Sequence, residues 1–454
     1  MSAESVTSIM GRWIADWSGG TGVAREKARM AFCDAIACML AGQDDAGARA
    51  VRSAIASWGE GACTVPGRAT KAPAPCAALA NGMAAHALDY DDGIHLGPVH
   101  ASAVLVPALL ALGEERKASG RAILDAHIAG IEIIARTSLG VGPGHYRRGW
   151  HPTSTFGTIG AAAACARLLG LDAKRATNAI GIAVSMASGV KAQFGSMSKP
   201  FHAGMAAQNG VQAAVLAEAG MTAGRDPLNA PMGFRAIYGD ETSPGWSGLS
   251  DSIGAPLAID AFGLGYKFYP CCRATHRGLD GLLALKNEHG VELDAVASVT
   301  IEESFSAKQN LMYPDPADEM QARFSMQYCG MVALDAGRVT LADFTPEAIR
   351  RPRIRRAMPS LDLIGAPPSA DDENLTRRAP ARIRVAMKDG RVLERSEQHA
   401  LGTPHKPMTA EQALEKFRDC ADKSLSRVAR ENAERALRSF GDLPNVDDLM
   451  RCLA

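Results

Sequence analysis

The chain has no net charge: 49 lysines and arginines stand against 49 aspartates and glutamates in 454 residues. No global field draws it to a phosphate backbone or an anionic bilayer, so nucleic acid and membrane surfaces are not expected partners. Long apolar runs are missing too. The most apolar stretch, Ala101 to Leu112, contains Pro107 and falls far short of the ~20 residues that span a bilayer. Met1 to Thr7 has an early acid and no basic stretch leading into an apolar core, so a secretory signal is not expected and the expected location is cytoplasmic. Ten cysteines include no C-x-x-C pair, which argues against an iron–sulfur dehydratase. Most of them fall inside helical apolar patterns, as reduced core thiols do. Low-complexity tails and fixed-period repeats are also absent.

What is present reads as globular, with 47% hydrophobic and 22% charged residues. Single cores stop growing near ~250–300 residues, so two domains are expected. Apolar residues recur at helical spacing over 23–40, 102–115, 123–139, 158–169, 173–187 and 205–219, and the Ala and Gly content of these runs suits close packing in a bundle. Past Pro256 the texture changes. Val296 to Glu302 is β-branched and short, and Ala381 to Met387 alternates before a Lys388-Asp389-Gly390 turn into Arg391-Val392-Leu393, a hairpin pattern. Helices near 278–288 and 325–334 and a Pro/Arg/Asp-rich linker over 367–380 complete the region. The tail returns to helix, with Thr409 as N-cap of a charged amphipathic run reaching Phe440. The expected architecture is mainly α with an α+β lid: an all-helical domain from 1–265 and 401–454, and an α+β domain over 266–400.

The densest chemistry lies at His86-Ala-Leu-Asp89-Tyr90-Asp91-Asp92-Gly93-Ile-His95-Leu-Gly97-Pro98-Val-His100, where carboxylates and imidazoles crowd the end of an Ala-rich helical run. Such crowding is costly beside a core and points to an acid/base site. Its bland readings are that His86 packs or caps its helix and that Asp91 and Asp92 cap following N–H groups. His86, Asp89, Asp91 and His95 are also ordinary metal ligands, but the reading taken is an acid/base site without metal.

A second stretch, Gly140 to Thr153, holds His145, Tyr146, Arg147, Arg148 and His151 just before a helix. It follows a helix and lacks G-x-G-x-x-G, so it is no dinucleotide fingerprint; cations beside a helix N-terminus suit a carboxylate. Tyr146 reads as an acid, a carboxylate donor, or packing against Trp150. Ser196-x-x-Lys199 matches a penicillin-interacting nucleophile motif, but S-D-N and K-T-G are absent, which leaves Lys199 as a carboxylate clamp or a solvated lysine. At the domain boundary, Lys267, Arg273 and His276 are placed to hold an anion. His127, His289, His399 and His405 have no clustered partners in the sequence.

These motifs resemble the MmgE/PrpD family, which includes 2-methylcitrate dehydratases, cis-aconitate decarboxylases and iminodisuccinate epimerase. The resemblance is carried, in order along the chain, by Asn81-Gly82 through Asp92, His100-Ala-Ser102, Gly149-Trp150-His151-Pro152-Thr153, Lys199-Pro200-Phe201-His202-Ala203-Gly204, Tyr266-Lys267-Phe268-Tyr269-Pro270 with His276, Phe324 to Tyr328, and Pro404 to Thr409. It implies a helical domain built from both chain ends, a smaller lid, a homodimer, a site in the cleft between the domains, and chemistry without metal or organic cofactor. It transfers catalytic roles to Asp89, His100, His151, Lys199 and Lys267. Tyr146, Arg273, His276, His202 and Asp91 are expected to contact substrate.

The reaction expected is proton abstraction next to a carboxylate of a di- or tricarboxylic acid, for which a site must supply cations where charge develops and a base near neutrality. The tyrosine used by the decarboxylases has no clear counterpart around Asn310 to Tyr313, and Gly93 stands where they carry a threonine. A hydro-lyase of the 2-methylcitrate dehydratase kind is therefore the first expectation. The loops at 144–153 and 194–200 are more similar to the epimerase branch, so an epimerase of an imino- or aminodicarboxylate is the alternative. Decarboxylation and a non-catalytic binding role rank behind both.

Overall fold

The structure, a computed structural model, describes residues 4–66, 71–94, 96, 98–369 and 378–454. The chain forms two compact units, Met1–Gly265 with Thr409–Ala454, and Tyr266–Met408.

The first unit is a helical assembly of α1 (Val6–Asp16), α2 (Gly22–Gly42), α3 (Ala46–Ile55), α4 (Ala74–His86), α5 (Ser102–Arg116), α6 (Gly120–Val141), α7 (Gly144–Arg147), α8 (Pro152–Leu168), α9 (Ala173–Met186) and α10 (Ser198–Glu218). Side-chain caps start several of them: Thr21 accepts from the N–H of Ala24, Ser119 from Ala122 and Asp172 from Arg175. The unit is not all-helical. Two short antiparallel pairs interrupt it, β1 (Cys63–Thr64) with β2 (Lys71–Ala72) and β3 (Gly93–Ile94) with β4 (Leu264–Gly265). They are too short to leave an alternating pattern in the sequence.

Two helices begin earlier than apolar spacing suggests, α8 at Pro152 rather than 158 and α10 at Ser198 rather than 205. Their first turns are polar: Thr153, Ser154 and Thr155 are fully buried without being apolar. Pro152 takes the N1 position, where its missing N–H costs nothing. The charged tail also differs from one long run. It breaks into helices Ala410–Ala421, Arg427–Arg438 and Asp447–Leu453.

Helices α4 and α10 approach closely because glycines face each other. A Cβ on Gly82 would lie 2.8 Å from the Cα of Gly204, and one on Gly204 would press on the carbonyl of Leu79. This crossing brings the end of α4, at His86, and the start of α10, at Lys199, to the same side of the bundle. Gly204→Ala is expected to lower stability by about 1–3 kcal/mol through overpacking. An unchanged denaturant midpoint would show that the helices can separate freely.

The second unit is α+β. Its sheet has the order β6 (Leu361–Gly365), β5 (Val296–Glu303), β7 (Ala381–Met387), β8 (Val392–Glu397). β5 runs parallel to β6 and antiparallel to β7, with Ile301 opposite both Leu363 and Ile383. Helices Arg273–His289 and Met326–Ala336 share one core with the sheet, including Leu279, Leu282, Met326, Val332, Val299, Ile383 and Val385. β6 is an addition to the sequence reading; only Leu361 and Leu363 turn inward, too few to show a period. The first helix starts at Arg273 rather than near 278, which places Arg273 and His276 in its first turn. Of the 367–380 linker, residues 370–377 lie outside the described residues.

All ten cysteines are free. Among the described residues, no helix is long and apolar enough to cross a membrane.

Candidate active site

α4 ends at His86, and the chain then turns through Asp89, whose φ of 51° lies in the left-handed region that Asp tolerates better than most residues. The turn returns Asp91 to the helix end, where His86 Nδ1 lies 2.9 Å from each of its carboxylate oxygens. From the far side of the loop His100 Nδ1 comes within 3.0 Å of Asp91 Oδ2, off the line of a good hydrogen bond, and the two imidazole rings sit 4.5 Å apart. Asp91 is thus a fully buried carboxylate between two histidines. Burial alone would raise its pKa, but His86 and His100 outweigh burial and hold it well below the usual carboxylate range. Burial pushes His86 down to about 4 despite Asp91. Both shifts are downward, and the arrangement that follows is a neutral His86 donating Nδ1–H to an ionised Asp91.

Lys199, in the first turn of α10, places Nζ 2.8 Å from Asp89 Oδ1, and His100 Nε2 lies 3.9 Å from the same oxygen. One cation therefore joins the cluster, balanced by Asp89. His151 precedes α8; its N–H donates to the carbonyl of Gly189 at 3.0 Å, and its Nδ1 lies 3.0 Å from Nδ1 of His202. Burial drives the pKa of His151 well below normal, with Lys199, His86, His202 and His100 adding to it, and burial with Lys199 lowers His202. Thr153 Oγ1 accepts from the N–H of His100 at 3.0 Å, which ties the start of α8 to the acidic loop.

The structure thus brings together Asp89, Asp91, His100, His151, Lys199 and His202. Tyr146 is engaged by a second lysine. Its ring lies under Lys191, with Nζ 3.4 Å from the ring centre, and Trp150 packs on Tyr238 rather than on Tyr146. Lys267, Arg273 and His276 belong to the second unit. Lys267 and His276 are buried there, and His276 Nε2 lies 3.2 Å from the carbonyl of Cys271.

Four buried groups, Asp92, Ser102, His127 and Lys416, were not given functional roles by sequence reasoning. Asp92 accepts from both the N–H and Oγ of Ser102, the first residue of α5, and Ser102 Oγ lies 3.2 Å from His127 Nε2. His127, read from sequence as unclustered, is part of this chain; burial lowers it to about 3, while burial and Asp34 raise Asp92 to about 7. His399 and His405 are likewise not isolated, their rings stacking at 4.4 Å. Lys416 bonds Asp34 at 2.6 Å and the carbonyl of Tyr90 at 2.7 Å, so the tail helix braces the acidic loop. Its signal was available: Lys416 falls on the apolar face that Ala413, Phe417 and Cys420 define.

His86, Asp89, Asp91 and His100 each offer a ligand atom within 4.8 Å of the others, the grouping with metal-ligand character among the described residues. His95, part of the metal reading of the sequence, lies outside those residues. The fit to a cation is poor in one respect, because the Lys199 ammonium already occupies the place beside Asp89 and Asp91 already engages imidazole.

Comparison with known proteins places this arrangement. The chain matches the MmgE/PrpD N-terminal domain over residues 10–247 and the MmgE/PrpD C-terminal domain over residues 269–441. A cis-aconitate decarboxylase from Homo sapiens is 30% identical over 389 residues, covering 84% of this chain and 79% of its own length. The cis-aconitate decarboxylase of Mus musculus is 30% identical with 84% and 78% covered, and that of Aspergillus terreus (strain NIH 2624 / FGSC A1156) is 25% identical with 94% and 91% covered.

Proposed function

Since the chain belongs to the MmgE/PrpD family, we propose that it is a lyase that moves a proton at the carbon next to a carboxylate of a small di- or tricarboxylic acid. The observation that carries this reading is the buried Asp91 held between His86 and His100, with the Lys199–Asp89 pair in the same cluster. A carboxylate that orients imidazole fixes its tautomer and prepares it for proton transfer. His100 and His151 are the acid/base pair. Lys199 supplies positive charge where the substrate becomes an aci-carboxylate, and Asp89 steadies it. The family resemblance extends that role to Lys267 and adds Arg273, His276 and Tyr146 as donors to the remaining carboxylates. No step requires an organic cofactor. A homodimer and a cytoplasmic location belong to the same proposal.

The leaving group separates two readings. Loss of a β-hydroxyl, as in a 2-methylcitrate dehydratase, needs one base and one acid, which His100 and His151 provide. Gly93 has no side-chain hydroxyl to offer where the decarboxylases carry threonine, and this favours the hydro-lyase. Loss of carbon dioxide is the second reading, favoured by the names of the relatives.

Proton NMR in D2O with EDTA-treated protein tests both, using 2-methylcitrate, citrate, cis-aconitate and iminodisuccinate. The expected result is water loss from a hydroxy acid, with a new alkene signal and deuterium beside a carboxylate. A methylene product with carbon dioxide from cis-aconitate would make it a decarboxylase, and a new diastereomer from iminodisuccinate an epimerase. Exchange on none of these acids would overturn the proposal. Turnover is expected to survive EDTA; a loss restored by a divalent ion would instead assign the His86–Asp91–His100 cluster to a metal.

A further inference from the structure

His151 and His202 meet through like atoms, Nδ1 to Nδ1 at 3.0 Å. Two bare lone pairs repel at that distance, so one nitrogen must carry a proton and the other accept it. The pair also lacks what His86 and His100 share. Those two flank Asp91, whereas the groups acting most strongly on His151 are Lys199 from α10 and the imidazoles of His86, His100 and His202, and Lys199 acts on His202 from its own helix. Among the described residues no carboxylate forms an ion pair with either ring to neutralise an imidazolium, and the resting state of the pair is two neutral rings joined by one proton.

The setting holds that geometry. The carbonyl of Gly189 accepts from the N–H of His151 at 3.0 Å, and Ser154 Oγ lies 3.5 Å from the carbonyl of His202. Gly189 has a φ of +112°, and a Cβ there would meet Ser154 Oγ at 2.8 Å and His202 Cε1 at 3.4 Å. The phenyl ring of Phe194 stands edge-on to His151 at 4.9 Å.

We propose that His202 is a positioning residue for His151: the proton shared between their Nδ1 atoms decides which nitrogen of His151 meets the substrate without a hydrogen. Its catalytic consequence rests on the lyase reading above; the shared proton does not. When His151 donates Nδ1–H to His202, His151 Nε2 is bare and acts as base. The substrate C–H bond then breaks with its electron pair left on carbon, and the proton bonds to Nε2. His151 then carries the positive charge with its Nδ1–H still donated to His202 Nδ1, and His100 protonates the leaving hydroxyl. The Nε2 proton of His151 passes to water and His100 takes one back, which returns the pair to its resting state. His202 thus serves through His151 and not by binding substrate itself.

The test uses the full-length enzyme labelled with 15N-histidine, read by two-bond 15N–1H spectra, with His151 assigned from its missing signals in His151→Gln. The wild type is expected to show one ring of the pair as Nδ1–H and the other as Nε2–H. His202→Phe is expected to free His151 into the Nε2–H form, lower kcat by about 10–100-fold at nearly constant KM, and shift the pH profile. His202→Asn, whose amide oxygen stands near the position of Nδ1, is expected to restore the His151 tautomer and most of kcat. Two Nε2–H rings in the wild type would overturn the proposal without any variant having to fold. So would a His202→Phe enzyme with an unchanged His151 tautomer, or a His202→Asn enzyme that behaves like it. An expected wild-type spectrum with no turnover of any carboxylic acid supports the shared proton and overturns the lyase reading alone.

Discussion

Asp91→Asn is expected to reduce turnover by about 10³–10⁴-fold, the size of effect seen when a carboxylate that orients a catalytic histidine becomes an amide. The side chain keeps its shape, so the cause is electronic. Asp91 faces His86 Nδ1 with both oxygens and also has His100 Nδ1 3.0 Å from Oδ2, close enough for its charge to act on both rings. An asparagine has one acceptor and one donor. Whichever imidazole faces the NH₂ group must present a bare Nδ1, which forces its proton to Nε2 and removes that nitrogen as a base. The loss should fall on kcat rather than KM, because the acid/base step suffers while the cations that hold substrate carboxylates remain. Steady-state kinetics beside a circular dichroism melt decide it. A folded Asp91→Asn enzyme with turnover within tenfold of the wild type would remove Asp91 from the mechanism.

Folding stability is expected to rise steeply between pH 4 and 6.5. Burial lowers His86 and His145 to about 4 and His127 to about 3. In this window the unfolded chain holds a proton on each histidine that the folded chain does not, so raising the pH stabilises the fold. Asp92 opposes them. Its pKa is raised to about 7 by burial and by Asp34, so the folded state holds a proton that the unfolded carboxylate has lost, and stability falls as pH rises through the same window. His151 and His202, lowered as well, act in the same direction as these three, so the histidines dominate over the one carboxyl, at about 1.4 kcal/mol per pH unit for each net proton. The low pKa of Asp91 acts elsewhere: its contribution is present above the unfolded carboxyl value and is lost only as pH drops through its depressed folded value. Urea unfolding at pH 4.5, 5.5 and 6.5 measures the slope, and His127→Gln should reduce it by one proton. A flat profile would mean that these imidazoles reach water in the folded state.

Much of the site was legible in the sequence because its parts are local. His86 to His100 announces itself as a crowd of titratable groups, and Lys199-Pro200-Phe201-His202 as a polar start to an otherwise apolar helix. The groups that support the site were harder to see. Ser102 and His127 look like core-helix residues until α5 and α6 pack and leave Ser102 Oγ between Asp92 and the imidazole. Lys416 lies far along the chain from Asp34 and Tyr90, and no local pattern records a bond across that separation.

The sequence by itself determined the family, the mainly helical class with an α+β part, and the chemical character of the acidic loop, since residue type and short-range order carry all three. Tertiary structure alone decided which imidazoles share a carboxylate and which share only each other. Asp91 belongs to His86 and His100 because a left-handed turn at Asp89 folds the loop back on α4. His151 belongs to His202 because α8 and α10 both begin earlier than their apolar spacing suggests, and their polar first turns meet. Hydrogen bonding depends on distances of about 3 Å, and along a chain such distances are set by how helices pack rather than by how residues are spaced.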